Sequence, residues 1–171
     1  MPQPTGKVKD LPRFGALDLG TNNCRLLIAE PVGDGFRVVD SFSRIVRLGE
    51  GFAANRQLSR KASRRTIAAL HICAQKLRDR GVGQMRCVAT EVCRRARNGA
   101  AFVERVRKAT GLALEIISPE EEASLTFTGC GDLLEPAEGH ALVFDIGGGS
   151  TEVIWVRTKA SGDAQIEGST S

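Results

Sequence analysis

Twice in this chain an apolar run ends in Asp, breaks at a glycine-led turn and resumes at once as a second apolar run. Phe14 to Leu19 (FGALDL) meets Gly20-Thr21-Asn22-Asn23 and continues as Cys24 to Glu30; Ala141 to Asp145 (ALVFD) meets Ile146-Gly147-Gly148-Gly149-Ser150 and continues as Thr151 to Val156. A strand that returns directly as a strand makes an antiparallel hairpin. The dinucleotide-binding and P-loop fingerprints need their glycines to open a helix, so neither fold fits. Gly, Asn and Asp are common in hairpin turns for conformational reasons alone. Three successive glycines behind an Asp are more than a turn requires. Without Cβ atoms, consecutive backbone N–H groups can point inward and form a nest for phosphate oxygens. Gly20, Thr21, Asn22 and Asn23 in the first turn, and Gly147, Gly148, Gly149 and Ser150 in the second, are therefore candidate phosphate-binding residues, with side-chain donors on Thr21, Asn23 and Ser150. Asp18 and Asp145 would repel a bare phosphate, and their natural partner is a divalent metal or a water beside it.

Between the hairpins the pattern predicts an alternation of strands and helices. Pro31 to Gly35 reads as a turn and Phe36 to Leu48 as a third strand, in which Phe36, Val38 and Ile45 alternate with polar residues. Ser59 can cap a helix to about Arg80, with Thr66, Leu70, Cys73 and Leu77 at helical spacing opposite a basic face of Arg60, Lys61, Arg64 and Arg65. Met85 to Thr90 reads as a strand, Gly99 to Thr110 as a helix with Phe102, Val103 and Val106 inward, and Leu112 to Ile117 as another strand. Ser118-Pro119-Glu120 opens a further helix, with Pro at the first helical position and acids in the first turn. Glu135 to Gly139 reads as a linker, and Ala164 to Glu167 as a last strand. The order β-β-β-α-β-α-β-α followed by a fresh β-turn-β is a weak internal repeat of two similar units. The expected division is an N-terminal tail (1–13), a first α/β domain (14–134), and a linker with the first strands of a second, cut-short domain (135–171).

Composition narrows the partners. The net charge of +4, from 24 Lys and Arg against 20 Asp and Glu, is a modest excess that suits an anionic small molecule or polymer and is no nucleic-acid signature. Five cysteines without a CxxC pair, set in apolar runs, read as reduced core thiols of a cytoplasmic protein. No run approaches the roughly twenty apolar residues of a membrane span, and the polar N-terminus has no signal-like apolar region.

The two turns resemble the paired phosphate loops of the superfamily that unites actin, heat-shock chaperone ATPases and sugar kinases. The segments between them narrow the resemblance. Arg47-Leu48-Gly49-Glu50-Gly51, Ala89-Thr90 through Arg94 with Asn98-Gly99, Ile117 to Ala123 and Val143 to Glu152 look, in order and spacing, like the exopolyphosphatase / guanosine pentaphosphate phosphohydrolase family, from about Phe14 to Trp155. The resemblance implies an actin-like (ribonuclease H-like) mixed sheet with helices, followed by a second similar domain, and a longer protein of which this is the amino-terminal part. It implies Mg²⁺-dependent hydrolysis of the terminal phosphate of inorganic polyphosphate or guanosine pentaphosphate, with a homodimer of the full-length form as one assembly; from the charge and the lack of an apolar span, no nucleic-acid or membrane partner is expected. Glu122 matches the family's catalytic carboxylate, with Glu121 an alternative one position away. Asp145 and Glu152 match metal positions, Asp18 joins them by the symmetry of the loops, and Arg94 matches a basic position that could clamp phosphate. Crowding by Glu120 and Glu121 is expected to raise the pKa of Glu122. Asn23 stands where the family more often has Ser, and its amide can still donate; Cys93 and Arg95 also depart from the usual pattern. Two other readings share these residues: a phosphotransferase of the same fold, disfavoured by Glu where an Asp base is usual, and a non-catalytic sensor of the same polyanions.

Overall fold

The structure, a computed structural model, describes residues 11–135 and 137–171; most of the expected tail, and Pro136 in the expected linker, lie outside the described residues. Strands β1 (Phe14–Leu19), β2 (Asn23–Val32) and β3 (Gly35–Ile45) form an antiparallel meander. On the other side of β1, strands β4 (Gln84–Ala89) and β5 (Glu115–Ile116) add in parallel, giving the order β3-β2-β1-β4-β5. Parallel pairing requires crossover connections, which helices supply. These are α2 (Arg60–Asp79) between β3 and β4, preceded by the single turn α1 (Phe52–Asn55), and α3 (Glu91–Arg95) with α4 (Gly99–Thr110) between β4 and β5.

Alternation along the strands sends Leu17, Leu19, Cys24, Leu26, Ile28, Cys87 and Ala89 to one face, where α2 covers them with Leu70, Cys73 and Leu77 and α4 with Phe102 and Val106. Ser59 caps α2 as expected, its Oγ accepting from the Ala62 N–H at 3.1 Å. All five cysteines are free, and only Cys130 lies outside the buried class. No described helix is long and apolar enough to cross a membrane.

A second sheet follows: β6 (Gly139–Ile146), β7 (Thr151–Thr158) and β8 (Ala164–Thr170), again an antiparallel meander. Helix α5 (Pro119–Cys130), which the sequence groups with the first domain, packs its apolar side on this second sheet: Ala123 and Phe127 meet Ile154 and Val156. It faces the first sheet with Leu125, across an apolar cavity lined by Ala16, Leu27 and Val88.

Three expectations need correction. Phe36, Val38 and Ile45 are exposed, because they lie opposite Pro31, Ala29 and Asn23 on the face of the sheet turned away from α2 and α4; the residues that reach the core are Val39 and Phe42 and, past the strand, Val46 and Leu48. The strand ends early because Val46 and Arg47 turn their N–H groups onto the Asn22 carbonyl at 2.7 and 3.0 Å, and Arg47 adopts a positive φ of 45°. Pro31 and Val32 belong to β2, opposite Phe36 and Gly35, so the turn is shorter than the composition suggests. Of the strand expected over 112–117, only Glu115 and Ile116 pair with β4; Leu112 and Leu114 instead plug the core below the left-handed Gly111 that ends α4. Helices α1 and α3, of 4 and 5 residues, are too short for a periodicity to mark them in the sequence.

At Gly99, the start of α4, that helix meets α3 closely: a Cβ there would lie 2.0 Å from the Cys93 carbonyl oxygen. Gly99→Ala is expected to cost about 1–3 kcal/mol, read as a lower urea midpoint with an unchanged slope. An unshifted midpoint would mean that the junction of α3 and α4 yields freely.

Candidate functional site

Each hairpin turn closes on itself in the same way. The Gly20 N–H donates to the Asn23 carbonyl at 2.9 Å, and the Gly147 N–H to the Ser150 carbonyl at 3.0 Å. The turns then face one another. A Cβ on Gly148 would stand 2.4 Å from the Asn22 amide nitrogen, and one on Gly149 would meet Thr21 Oγ1 at 2.4 Å and its Cβ at 3.0 Å. Only bare backbone allows that approach. The cavity between the turns measures about 300 Å³ and is lined by all eight candidate phosphate-binding residues.

Four carboxylates enter the same cavity: Asp18, Glu122, Asp145 and Glu152. The hairpin registers place three of them. In the first hairpin Asp18 lies directly opposite Arg25; in the second the equivalent partner of Asp145 is Glu152. The first turn thus carries an opposite-charge pair, and the second a like-charge pair, which directly opposite strand positions normally disfavour. Glu152 is buried and accepts from Ser171 Oγ at 3.0 Å, and Asp145 accepts from Thr126 Oγ1 at 2.9 Å. Their donor set is hard oxygen, suited to a divalent cation such as Mg²⁺ or Ca²⁺. Among the described residues no three His, Cys, Asp or Glu converge closely enough to cage an ion. The Asp18 carboxyl is raised above the usual range, first by burial and then by Asp145, with Arg25 pulling the other way.

Glu122 arrives from the start of α5, where Ser118 accepts from the Glu121 N–H at 3.2 Å through Oγ and from the Glu122 N–H at 3.0 Å through its carbonyl. Burial raises its carboxyl above the ordinary value, with Glu152 and Asp18 adding to the effect and Arg94 opposing it. Glu120 and Glu121 are not among the causes, contrary to expectation. Glu121 points away from the cavity and pairs with Arg86 of β4. Arg94 does not line the cavity either. Its guanidinium holds Glu122 Oε2 at 3.3 Å, donates to the Ile117 carbonyl at 2.6 Å and reaches Glu91 at 3.2 Å. The structure thus brings together the two turns, Asp18, Asp145, Glu152 and Glu122, leaves Glu121 outside, and sets Arg94 behind Glu122.

Residues 27–165 match the profile described as the Ppx/GppA phosphatase family. The chain belongs to that family. Among solved structures, the Ppx/GppA phosphatase of Aquifex aeolicus in its type II variant is 31% identical with a TM-score of 0.77, over 94% of this chain and 51% of that one. An exopolyphosphatase-like protein is 28% identical with a TM-score of 0.83, over 95% and 50% of the two chains. An exopolyphosphatase from Cytophaga hutchinsonii is 25% identical with a TM-score of 0.82, over 92% and 49%. The chain spans about half the length of these proteins, and its fold is their actin-like one.

In this Ppx/GppA chain three residues line the cavity besides the expected ones: Arg25, Thr90 and Ile146, the last of these within the second turn. Arg25 follows from hairpin arithmetic, since a turn closed from Gly20 to Asn23 pairs Leu19 with Cys24 and Asp18 with Arg25. Thr90, between β4 and α3, belongs to the Ala89-Thr90 segment of the resemblance, but no spacing marks it as a cavity residue. The two departures also find a place. Cys93 is buried, which pushes its thiol up to about 12, and Arg95 pairs with Glu91 at 2.5 Å and lies over the Phe52 ring.

A carboxyl whose pKa is raised by folding penalises the folded state once ionised. The penalty is absent below the unfolded value of about 4.3 and grows as pH rises through the folded pKa. Glu122→Gln is therefore expected to raise the melting temperature at pH 7, with the gain disappearing near about pH 4. A lower melting temperature at pH 7 would show that the contact with Arg94 outweighs burial and the repulsion from Glu152 and Asp18.

Proposed function

We propose that this chain supplies the phosphate-binding half of a site that hydrolyses the terminal phosphoanhydride bond of inorganic polyphosphate or guanosine pentaphosphate. The observation that carries the reading is the position of Glu122: a carboxyl of raised pKa, gripped from behind by Arg94, opening into a cavity walled by two glycine-rich turns. Membership of a phosphatase family, and likeness to proteins described as exopolyphosphatases, support the same reaction class.

Phosphoryl transfer asks for positioning and charge stabilisation more than covalent chemistry. The N–H groups and hydroxyls of the two turns would hold the terminal and penultimate phosphates. Glu122 would orient a water for in-line attack and accept its proton as the oxygen–phosphorus bond forms. The bridging oxygen–phosphorus bond breaks, and its electrons leave with the shortened chain; the products are orthophosphate and that chain. Arg94 would act through Glu122, fixing its rotamer and limiting the rise of its pKa. Asp145 and Glu152, with Asp18 nearby, fit Mg²⁺, which takes one or two carboxylates and fills its shell with water and phosphate oxygens. Bound there, it would neutralise charge on the phosphates that would otherwise repel four carboxylates.

Phosphate release from polyphosphate and from guanosine pentaphosphate, with Mg²⁺ and no ATP, tests the proposal in the longest native form of the protein. Glu122→Gln is expected to lower kcat by about 10²–10⁴ with little change in KM, and chelation of divalent metal to abolish turnover. Retained polyanion binding without release in the unmodified protein would favour a sensor instead. Gly149→Ala should act differently: by wedging the turns apart at Thr21 it is expected to raise KM for both substrates by tenfold or more. An unchanged KM would remove the turn-to-turn contact from the site.

A further inference from the structure

Three arginines outside the acidic cleft surround a second polar cavity. Arg60 reaches it from the start of α2, Arg97 from the loop between α3 and α4, and Arg105 from α4; Asn55, Gln57 and Ser59 complete its polar wall, and its volume is about 580 Å³. Among the described residues no Asp, Glu or aromatic side chain lines it. None of the three guanidiniums has a carboxylate partner among the described residues, whereas neighbouring Arg65, Arg94, Arg95 and Arg107 all do. Three like charges around one hollow, though exposed and screened by water, raise the local concentration of anions there.

The frame of this cavity is built from directed bonds. Asn98 accepts from the Leu58 N–H at 2.8 Å and donates to the Leu58 carbonyl at 3.0 Å, while the Arg97 N–H donates to the Arg56 carbonyl at 3.0 Å. On the side of Gly51, the preceding segment is tied to the first phosphate turn by the Gly49 N–H on the Thr21 carbonyl at 3.0 Å, and Arg65 clamps it through the Arg47 carbonyl and Glu50, both at 2.9 Å. These bonds hold the backbone from which the exposed arginines project, while the guanidiniums themselves would be ordered by the ligand.

We propose that this cavity is a second anion site, separate from the catalytic cleft, that binds a run of phosphates joined by anhydride bonds. Guanidinium groups grip phosphate oxygens in pairs, and three of them facing one hollow call for several charges close together, as a phosphate chain provides on every unit. The lack of any aromatic wall argues against a site that holds a base by stacking. Inorganic tripolyphosphate and the tail of a nucleoside triphosphate share this chemistry.

The test is protection of individual arginines from phenylglyoxal, mapped by peptide mass at fixed ionic strength, so that its result does not depend on hydrolysis in the cleft. Tripolyphosphate is expected to slow modification of Arg97 and Arg105 at least fivefold, while sulfate does not. Equal protection by GTP would extend the ligand to nucleotide tails; no protection by GTP would restrict it to the inorganic chain. The exposed double variant Arg97→Ser/Arg105→Ser should bind one tripolyphosphate fewer in equilibrium dialysis, with kcat in the cleft unchanged. Unslowed modification, equal protection by sulfate, protection by GTP alone, or an unchanged stoichiometry would each overturn the proposal.

Discussion

The site depends on where α5 lies. This helix begins beneath the first sheet and buries its apolar side against the second, so its N-terminal turn falls between the two hairpins. From there Glu122 meets Arg94 of the first unit, Glu121 pairs with Arg86 of β4, and Thr126 bonds Asp145 of β6. One helix of 12 residues thereby fixes the separation of two sheets that share no strand, and with it the approach of Gly148 and Gly149 to Asn22 and Thr21. The serine cap, the proline behind it and the three glutamates of the first turn all favour a helix that starts at this point.

Much of this was legible in the sequence, because the informative features are local. The hairpins are set by short turns, α2 by a cap and a clean apolar stripe, and α5 by Ser118-Pro119; all three lie where the pattern put them. What was not legible depends on partners distant in sequence. The exposure of Phe36, Val38 and Ile45 reflects which face of the outer strand the helices cover, and alternation alone does not say which of two faces that is. The side of α5 that packs, and the sheet it packs on, are set by Ile154 and Val156, some thirty residues later.

The candidate site divides along the same line. The eight turn residues and Asp18, Asp145, Glu122 and Glu152 all reach one cavity, since register and turn geometry carry them there. Glu121 and Glu122 are adjacent and chemically identical, so only the helix phase separates them: one faces the cavity, the other faces Arg86. The rise in the Glu122 pKa was expected from its sequence neighbours, yet its causes are burial and groups from other strands. Neighbours in a helix splay outward, whereas charges brought in by a different sheet can be closer than either.

The two hairpins close their turns in the same way and differ at the cleft in one charged position, Arg25 in the first where Glu152 stands in the second. Duplication alone would give a cavity with a twofold pseudosymmetry, whose ends a linear anion could enter in either sense. The exchange of Arg for Glu breaks that equivalence: one wall is self-neutralised and the other is left electron-rich. The cleft consequently has a polarity, and a chain lying in it meets unlike surroundings at its head and along its body.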